Sequence, residues 1–182
     1  MQFLRRKKEK SEAELAREAE DQRILDTTAY TAEELAALRQ RWEGPLGGRD
    51  GGTVRIERLL EELDLALFPL ARRSLQVCSR DASGDISFPE YAAAMNAMGG
   101  KVGPEEKFRF AFRLFDLDND GLIDVTDMFD LCRTLTPPGL TEAQLLDIVE
   151  EYLARFPTGV NYEIFTQMID VADLAKFTLN SV

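Results

Sequence analysis

Five carboxylates crowd into the twelve residues from position 116 to position 127, which read D-L-D-N-D-G-L-I-D-V-T-D. Counting Asp116 as the first, they fall at the first, third, fifth, ninth and twelfth places, with Gly121 at the sixth. Hard divalent cations take oxygen ligands, and this spacing wraps one short loop around one ion, the glycine supplying the sharp turn. The candidate ligands are the side chains of Asp116, Asp118 and Asp120, the backbone carbonyl of Leu122, Asp124 acting through a water, and Asp127. A Glu is usual at the twelfth place, where it binds Ca2+ through both oxygens. Asp127 is one methylene shorter, so it binds through one oxygen or through water. Six ligands at short distances suit Mg2+ better than Ca2+. The expected occupant is Mg2+ at rest, with Ca2+ bound weakly, on the order of 10⁻⁶ M or above. The alternative is an ion-free carboxylate loop, which leaves like charges crowded together.

Such a loop works only if its two flanks are held rigidly. Before it, Phe108, Ala111, Phe112 and Phe115 recur at the spacing of one helix face; after it, Met128, Leu131, Cys132 and Leu135 do the same. Helix, acidic loop, helix is an EF-hand. The unit recurs four times, with extended stubs centred on Val54, Ile86, Ile123 and Val160. The expected fold is therefore all-α: four helix–loop–helix units in two lobes, each lobe carrying a short two-stranded bridge that pairs Val54 with Ile86 and Ile123 with Val160.

The other three loops have changed. The first begins after a helix capped by Thr31 and Glu34, with Leu35, Leu38 and Trp42 as its stripe. Its loop holds five glycines between Glu43 and Gly52 and a single carboxylate, Asp50, between Pro45 and Arg55, so no cation is expected there. A helix over 57–67 should follow it. The second loop, 79–90, keeps Gly84 and Glu90, with Asp81, Ser83 and Ser87 as further ligands, but opens on the neutral Ser79. It reads either as a weak second Ca2+ or Mg2+ site or as a hand that keeps its turn without an ion. The fourth, around 155–159, is short and has no carboxylate. Its helices carry Leu145, Ile148, Val149, Tyr152 and Phe156, then Phe165, Met168 and Ile169.

The chain divides into a charged helical arm over 1–30, an N-terminal lobe over 31–98 and a C-terminal lobe over 99–182, the lobes parting at the flexible G-G-K-V-G-P run. In the arm, Leu15, Ile24 and Leu25 are the apolar residues available for burial. The arm reads as a solvated helix, or as a docking arm with Phe3 and Leu4 as anchors beside the basic cluster at 5–10.

A net charge of −11 makes nucleic acid an unsuitable partner, and the absence of histidine removes the commonest general base and zinc ligand. No enzyme activity is expected. Cys78 and Cys132 read as small core hydrophobes of a reducing compartment, hence a cytoplasmic location, whether free there or within a cytoskeletal or other large assembly. No apolar run is long enough to span a membrane, and Gln2 stands where N-myristoylation requires Gly. Met95, Met98, Met128 and Met168, with Phe129 and Phe165, are candidates for a partner groove or for the core. The tail at 171–182 reads as a plug for that groove or a cap on the lobe.

The chain resembles the calcineurin B and calcium-and-integrin-binding branch of the EF-hand superfamily. The likeness is carried by K-F-R-F-A-F-R-L-F-D at 107–116, G-D-I-S-F-P-E-Y at 84–91, T-A-E-E-L at 31–35 and D-L-A-K-F at 173–177, and spans roughly residues 25–182. It implies a Ca2+- or Mg2+-binding regulatory or adaptor subunit that grips an amphipathic helix of a larger protein in an apolar groove. Some members regulate a phosphatase. The rival expectation is a constitutive, light-chain-like subunit of a large assembly with little calcium sensing.

Overall fold

The computed structural model describes residues 10–63, 65, 70–79, 83–135 and 141–170. Phe3, Leu4, most of the basic cluster, Asp81 and the apolar tail at 171–182 lie outside these residues. The order is α1 (Glu12–Thr27), α2 (Ala32–Glu43), β1 (Thr53–Arg55), α3 (Ile56–Glu62), α4 (Ala71–Cys78), β2 (Asp85–Ser87), α5 (Phe88–Met98), α6 (Pro104–Phe115), β3 (Leu122–Ile123), α7 (Val125–Leu135), α8 (Glu142–Arg155), β4 (Val160–Asn161) and α9 (Tyr162–Met168). The all-α class with two small bridges is as expected. β1 and β2 pair antiparallel with Val54 opposite Ile86, and β3 and β4 pair with Ile123 opposite Val160.

Local chemistry explains where the helices start. At α2 the Thr31 N–H donates to Glu34 Oε2 at 2.9 Å, and the Glu34 N–H donates to Thr31 Oγ1 at 3.3 Å. Thr141 and Gln144 form the same reciprocal cap at α8, and Ser11 and Glu14 do so at α1. Each cap satisfies two N–H groups that a helix start would leave unpaired. Just before each of the four strands the chain turns through a left-handed glycine, at Gly51, Gly84, Gly121 and Gly159, with φ between 70° and 91°. All four loops keep the turn, although only one keeps the carboxylates.

The larger core centres on Trp42, which is fully buried, stacks on Tyr91 at 5.4 Å between centroids and meets Phe88 edge-on at 5.8 Å. A smaller core joins Ala111, Phe112, Ile123, Val160 and Phe165. Helix α6 serves both. Ala111 and Phe112 enter the smaller core as its spacing suggests, whereas Phe110 and Leu114, on the opposite side, are buried in the larger one. An apolar count along one face therefore understates what α6 buries.

Several expected core positions come out differently. Leu15 is 53% exposed, and of Leu15, Ile24 and Leu25 it is Ile24 that is buried. Ile148 is 42% exposed while Leu145 and Val149 on the same helix are buried. Of the apolar stripe on α7 only Leu131 is buried, and Leu135 stands out in solvent. Helix α3 stops at Glu62 rather than near 67. Met98 and Phe165 are core; Met168 is half exposed.

The first loop is sealed by packing. Its Gly48 N–H donates to the Trp42 carbonyl at 2.8 Å, and a Cβ at Gly48 would sit 2.1 Å from the Trp42 indole nitrogen. Gly48→Ala is expected to cost about 2 kcal/mol or more, as overpacking against a rigid buried ring does. Urea unfolding followed by Trp42 emission measures it, and an unchanged midpoint would refute the clash.

Candidate metal centre

Asp116 caps the end of α6, its backbone N–H donating to the Phe112 carbonyl at 2.9 Å. From there the loop bends through Asn119, which adopts a left-handed φ of 61°, and Gly121. This bend turns three carboxylates inward: one oxygen each from Asp116, Asp118 and Asp120 lies within 4.8 Å of the other two. Asp116 is buried; Asp118 and Asp120 face solvent. The loop holds its shape through its own side chains. Asp116 Oδ2 accepts from the Gly121 N–H at 3.1 Å, Asp118 Oδ1 from the Asp120 N–H at 3.1 Å, and Asp120 Oδ1 from the Leu122 N–H at 2.8 Å.

Asp116 Oδ1 is buried and, among the described residues, accepts no hydrogen bond. A buried carboxylate oxygen without a donor is costly unless a cation meets it. The donor set around it is all oxygen, the chemistry of Ca2+ and Mg2+ rather than of zinc. The residues therefore fit a hard divalent ion.

Asp124 and Asp127 are not among the carboxylates gathered with this trio. Leu122 lies in β3. Asp124 Oδ1 accepts from the N–H groups of Thr126 at 2.7 Å and Asp127 at 3.1 Å, capping α7. Asp127 is buried, and both its oxygens serve the loop backbone: Oδ1 accepts from the Leu117 N–H at 2.8 Å and Oδ2 from the Asp124 N–H at 3.1 Å. Burial raises its pKa from the ordinary aspartate value, opposed by those two N–H donors. Asp127 thus staples the start of the loop to its end.

Two neighbours brace this loop from outside. The Tyr152 hydroxyl of α8 donates to the Ile123 carbonyl at 2.5 Å, so the fourth unit, whose loop has no carboxylate, stiffens the third. Arg73 of α4 donates through Nη2 to the carbonyls of Arg113 at 3.0 Å and Asp116 at 2.7 Å, with Leu117 at 3.4 Å. Nothing in the sequence pattern marks Arg73, because its acceptors lie some forty residues away and are backbone atoms.

The two loops of the N-terminal half are held by different contacts. In the second, the Ser79 hydroxyl donates to the Asp85 carbonyl at 3.2 Å, and Ser83 Oγ accepts from the Asp85 N–H at 3.1 Å. In the first, Arg39 takes the central position. It is 3% exposed, pairs with Glu20 at 2.8 Å, with Asp21, and with Asp50 at 3.3 Å, and lies 3.9 Å above the Phe88 ring. Asp50, the loop's one carboxylate, also pairs with Arg17 of α1. A guanidinium holds this loop and the N-terminal helix together. The signal was present in the sequence, since Arg39 falls between Leu35 and Trp42 on the buried stripe of α2. Cys78 and Cys132 are not joined in a disulfide, and burial pushes the Cys78 thiol up to about 11.

No helix among the described residues is long and apolar enough to cross a membrane. No family model matches the chain. It is 31% identical over 124 residues to the calcineurin B subunit of Yarrowia lipolytica, covering 68% of this chain and 71% of that protein. It is 27% identical over 157 residues to the calcineurin B subunit of Candida glabrata, covering 84% and 89% respectively. To the type 2 calcineurin B subunit of Mus musculus it is 26% identical over 129 residues, covering 69% and 72%. Similarity of this extent, on a helical chain of paired helix–loop–helix units, places it by descent: the chain belongs to the calcineurin B family.

Proposed function

We propose that the chain is a non-catalytic, cation-binding regulatory or adaptor subunit that grips an amphipathic helix of a larger cytoplasmic protein. The observation that carries this reading is an open cleft of about 350 Å3 in the N-terminal half, walled by Tyr30, Leu38, Leu63, Leu65, Met95 and Met98. Its walls are apolar side chains of helices and loops, with Arg41, Glu34 and Lys101 at the edge, which suits a helix with one apolar face. Residues 31–98 and 99–182 act as the two lobes, and a single ion site in the second stiffens the platform.

On this reading Asp116, Asp118 and Asp120 hold the ion directly, Leu122 through its carbonyl, and Asp124 and Asp127 complete the shell. The bound cation supplies positive charge that relieves the crowding of the three carboxylates. With each Asp127 oxygen already accepting from a backbone N–H, a two-oxygen grip on Ca2+ is disfavoured, which favours Mg2+ at rest. Asp127→Glu extends the carboxylate by one methylene, and Ca2+ affinity should rise by roughly tenfold, about 1.4 kcal/mol. Isothermal titration with Ca2+ in millimolar Mg2+ checks this; an unchanged or weaker Ca2+ affinity would count against the assignment of Asp127.

A constitutive structural subunit is the second reading, favoured by the Arg39–Asp50 clamp, which closes the first loop with the protein's own charge. Affinity purification with and without chelator separates the two. A partner lost in chelator supports regulation by the ion; one retained in chelator and high salt supports the structural role. Recovery of no partner under either condition, with Leu38→Asp behaving like the wild type, would sink both.

A further inference from the structure

An arginine from each of α4 and α6 reaches the C-terminal end of the other helix. Arg73 of α4 reaches the carbonyls at the end of α6 and the start of the acidic loop, at Arg113, Asp116 and Leu117. Arg113 of α6 reaches back to the Val77 carbonyl at the end of α4. The last carbonyls of a helix lack partners within it and carry the negative end of its dipole, so a guanidinium there makes charge-assisted hydrogen bonds. Each helix is thus capped by the other. Both helices lead directly into a loop: α4 into 79–90 and α6 into the carboxylates of 116–127. Arg73 is half-buried, and its bond to the Asp116 carbonyl is the shortest of the three. Leu75 and Val77 of α4, with Phe110 and Leu114 of α6, share one core with Trp42.

We propose that Arg73 is a positioning residue that couples the cation loop to the N-terminal half, so that filling the loop reorders the packing around Trp42. The proposal rests on the cation reading above. The side chain of Asp116 is the buried member of the carboxylate trio, while its backbone carbonyl is held by Arg73. Any adjustment of Asp116 on ion binding therefore pulls on α4 through a charge-assisted bond. The two β bridges do not connect the halves, since each joins loops of the same pair. The arginine exchange and the shared face of α6 do cross the divide.

Trp42 is the chain's one tryptophan, which makes the test direct. Mg2+ or Ca2+ is titrated into the full chain while heat and Trp42 emission are recorded together. In the wild type the emission change should share its midpoint with the heat. In Arg73→Met the heat should persist while the emission change is lost, and Arg113→Met should lose it as well. Arg72→Met, whose arginine pairs with the exposed Glu57, should behave like the wild type. Arg73→Lys retains the charge and one donor and should restore part of the signal. Heat without an emission change in the wild type, or a full emission change in both Arg73→Met and Arg113→Met, would overturn the coupling alone. No heat in the wild type would overturn the cation reading and this inference with it. Far-UV circular dichroism of each variant confirms that the helices remain, and a variant that unfolds is replaced by Arg73→Lys as the test.

Discussion

Asp116→Asn is expected to abolish most of the protein's response to divalent cations while leaving its fold intact. The asparagine oxygen can still accept from the Gly121 N–H, so the loop keeps its turn. What disappears is the buried carboxylate charge and the orphaned Oδ1, which becomes an amide nitrogen unable to bind a cation. A fall in affinity of roughly a hundredfold corresponds to about 2.8 kcal/mol. Calorimetric titration reads that loss directly. Thermal melts give a second reading: cation at a hundred times its Kd stabilises a protein by about 2.7 kcal/mol, and that increment should vanish in the variant. The ion-free variant should melt no lower than the ion-free wild type, because one of three crowded charges is gone. A variant that binds as the wild type does would remove Asp116 from the site.

With Asp127 as a ligand, the site is expected to carry a pH dependence whose sign follows from that residue. Burial raises the pKa of this carboxylate, so it takes up a proton at a higher pH than an exposed aspartate would. Protonation competes with the ion, and cation affinity should start to fall sooner on acidification than the exposed carboxylates alone would make it. In the ion-free protein the sign reverses. A raised native pKa means the folded state holds the proton more tightly than the unfolded chain. This group therefore favours folding below its unfolded value and loses that contribution as pH rises through the native one. Calorimetry and melts across the acid range, with and without cation, should diverge in opposite directions.

Arg39→Met is expected to be a strongly damaging change in the N-terminal half. The methionine keeps the apolar stem against Phe88 but deletes the charge that gathers Glu20, Asp21 and Asp50. Breaking a buried ion pair typically costs 3–5 kcal/mol. Here the carboxylates are about a third to half exposed, so water screens what is left behind, and about 2–4 kcal/mol is expected, roughly a 5–15 °C fall in melting temperature. Helix α1 should suffer first, since Ile24 is the one residue it buries. Limited proteolysis should release the N-terminal segment before the rest of the chain unfolds. Arg39→Lys should fall between, because a lysine keeps the charge but cannot fork between three acceptors. A loss of less than about 1 kcal/mol in Arg39→Met would mean that the cluster is only a surface network.

Much of this protein is legible in its sequence. The apolar period around the acidic loop, the capping pairs Thr31/Glu34 and Thr141/Gln144 and the turn glycines are local signals, and local signals set helix starts and turns. The pairing of Val54 with Ile86 and of Ile123 with Val160 followed from equivalent positions in a repeat. The carboxylate trio is within one turn of chain, so spacing alone brings Asp116, Asp118 and Asp120 together.

The tertiary structure decided what distance along the chain conceals. Whether Met98 and Phe165 were groove or core depended on which neighbours came to cover them: both are buried, Met98 at the wall of the N-terminal cleft, while Met168 is half exposed. Asp127 kept its place in the loop but turned both oxygens to backbone N–H groups, a choice that spacing cannot express. Arg39 falls on the buried stripe of α2, but its acidic partners, like the backbone acceptors of Arg73, lie more than one helical turn away and are not marked by spacing. The acidic loop announced the cation chemistry by itself, because its donors are close together in the chain. Its bracing by Tyr152 and Arg73 required helices from both halves to fold onto it, and only three-dimensional packing could supply that.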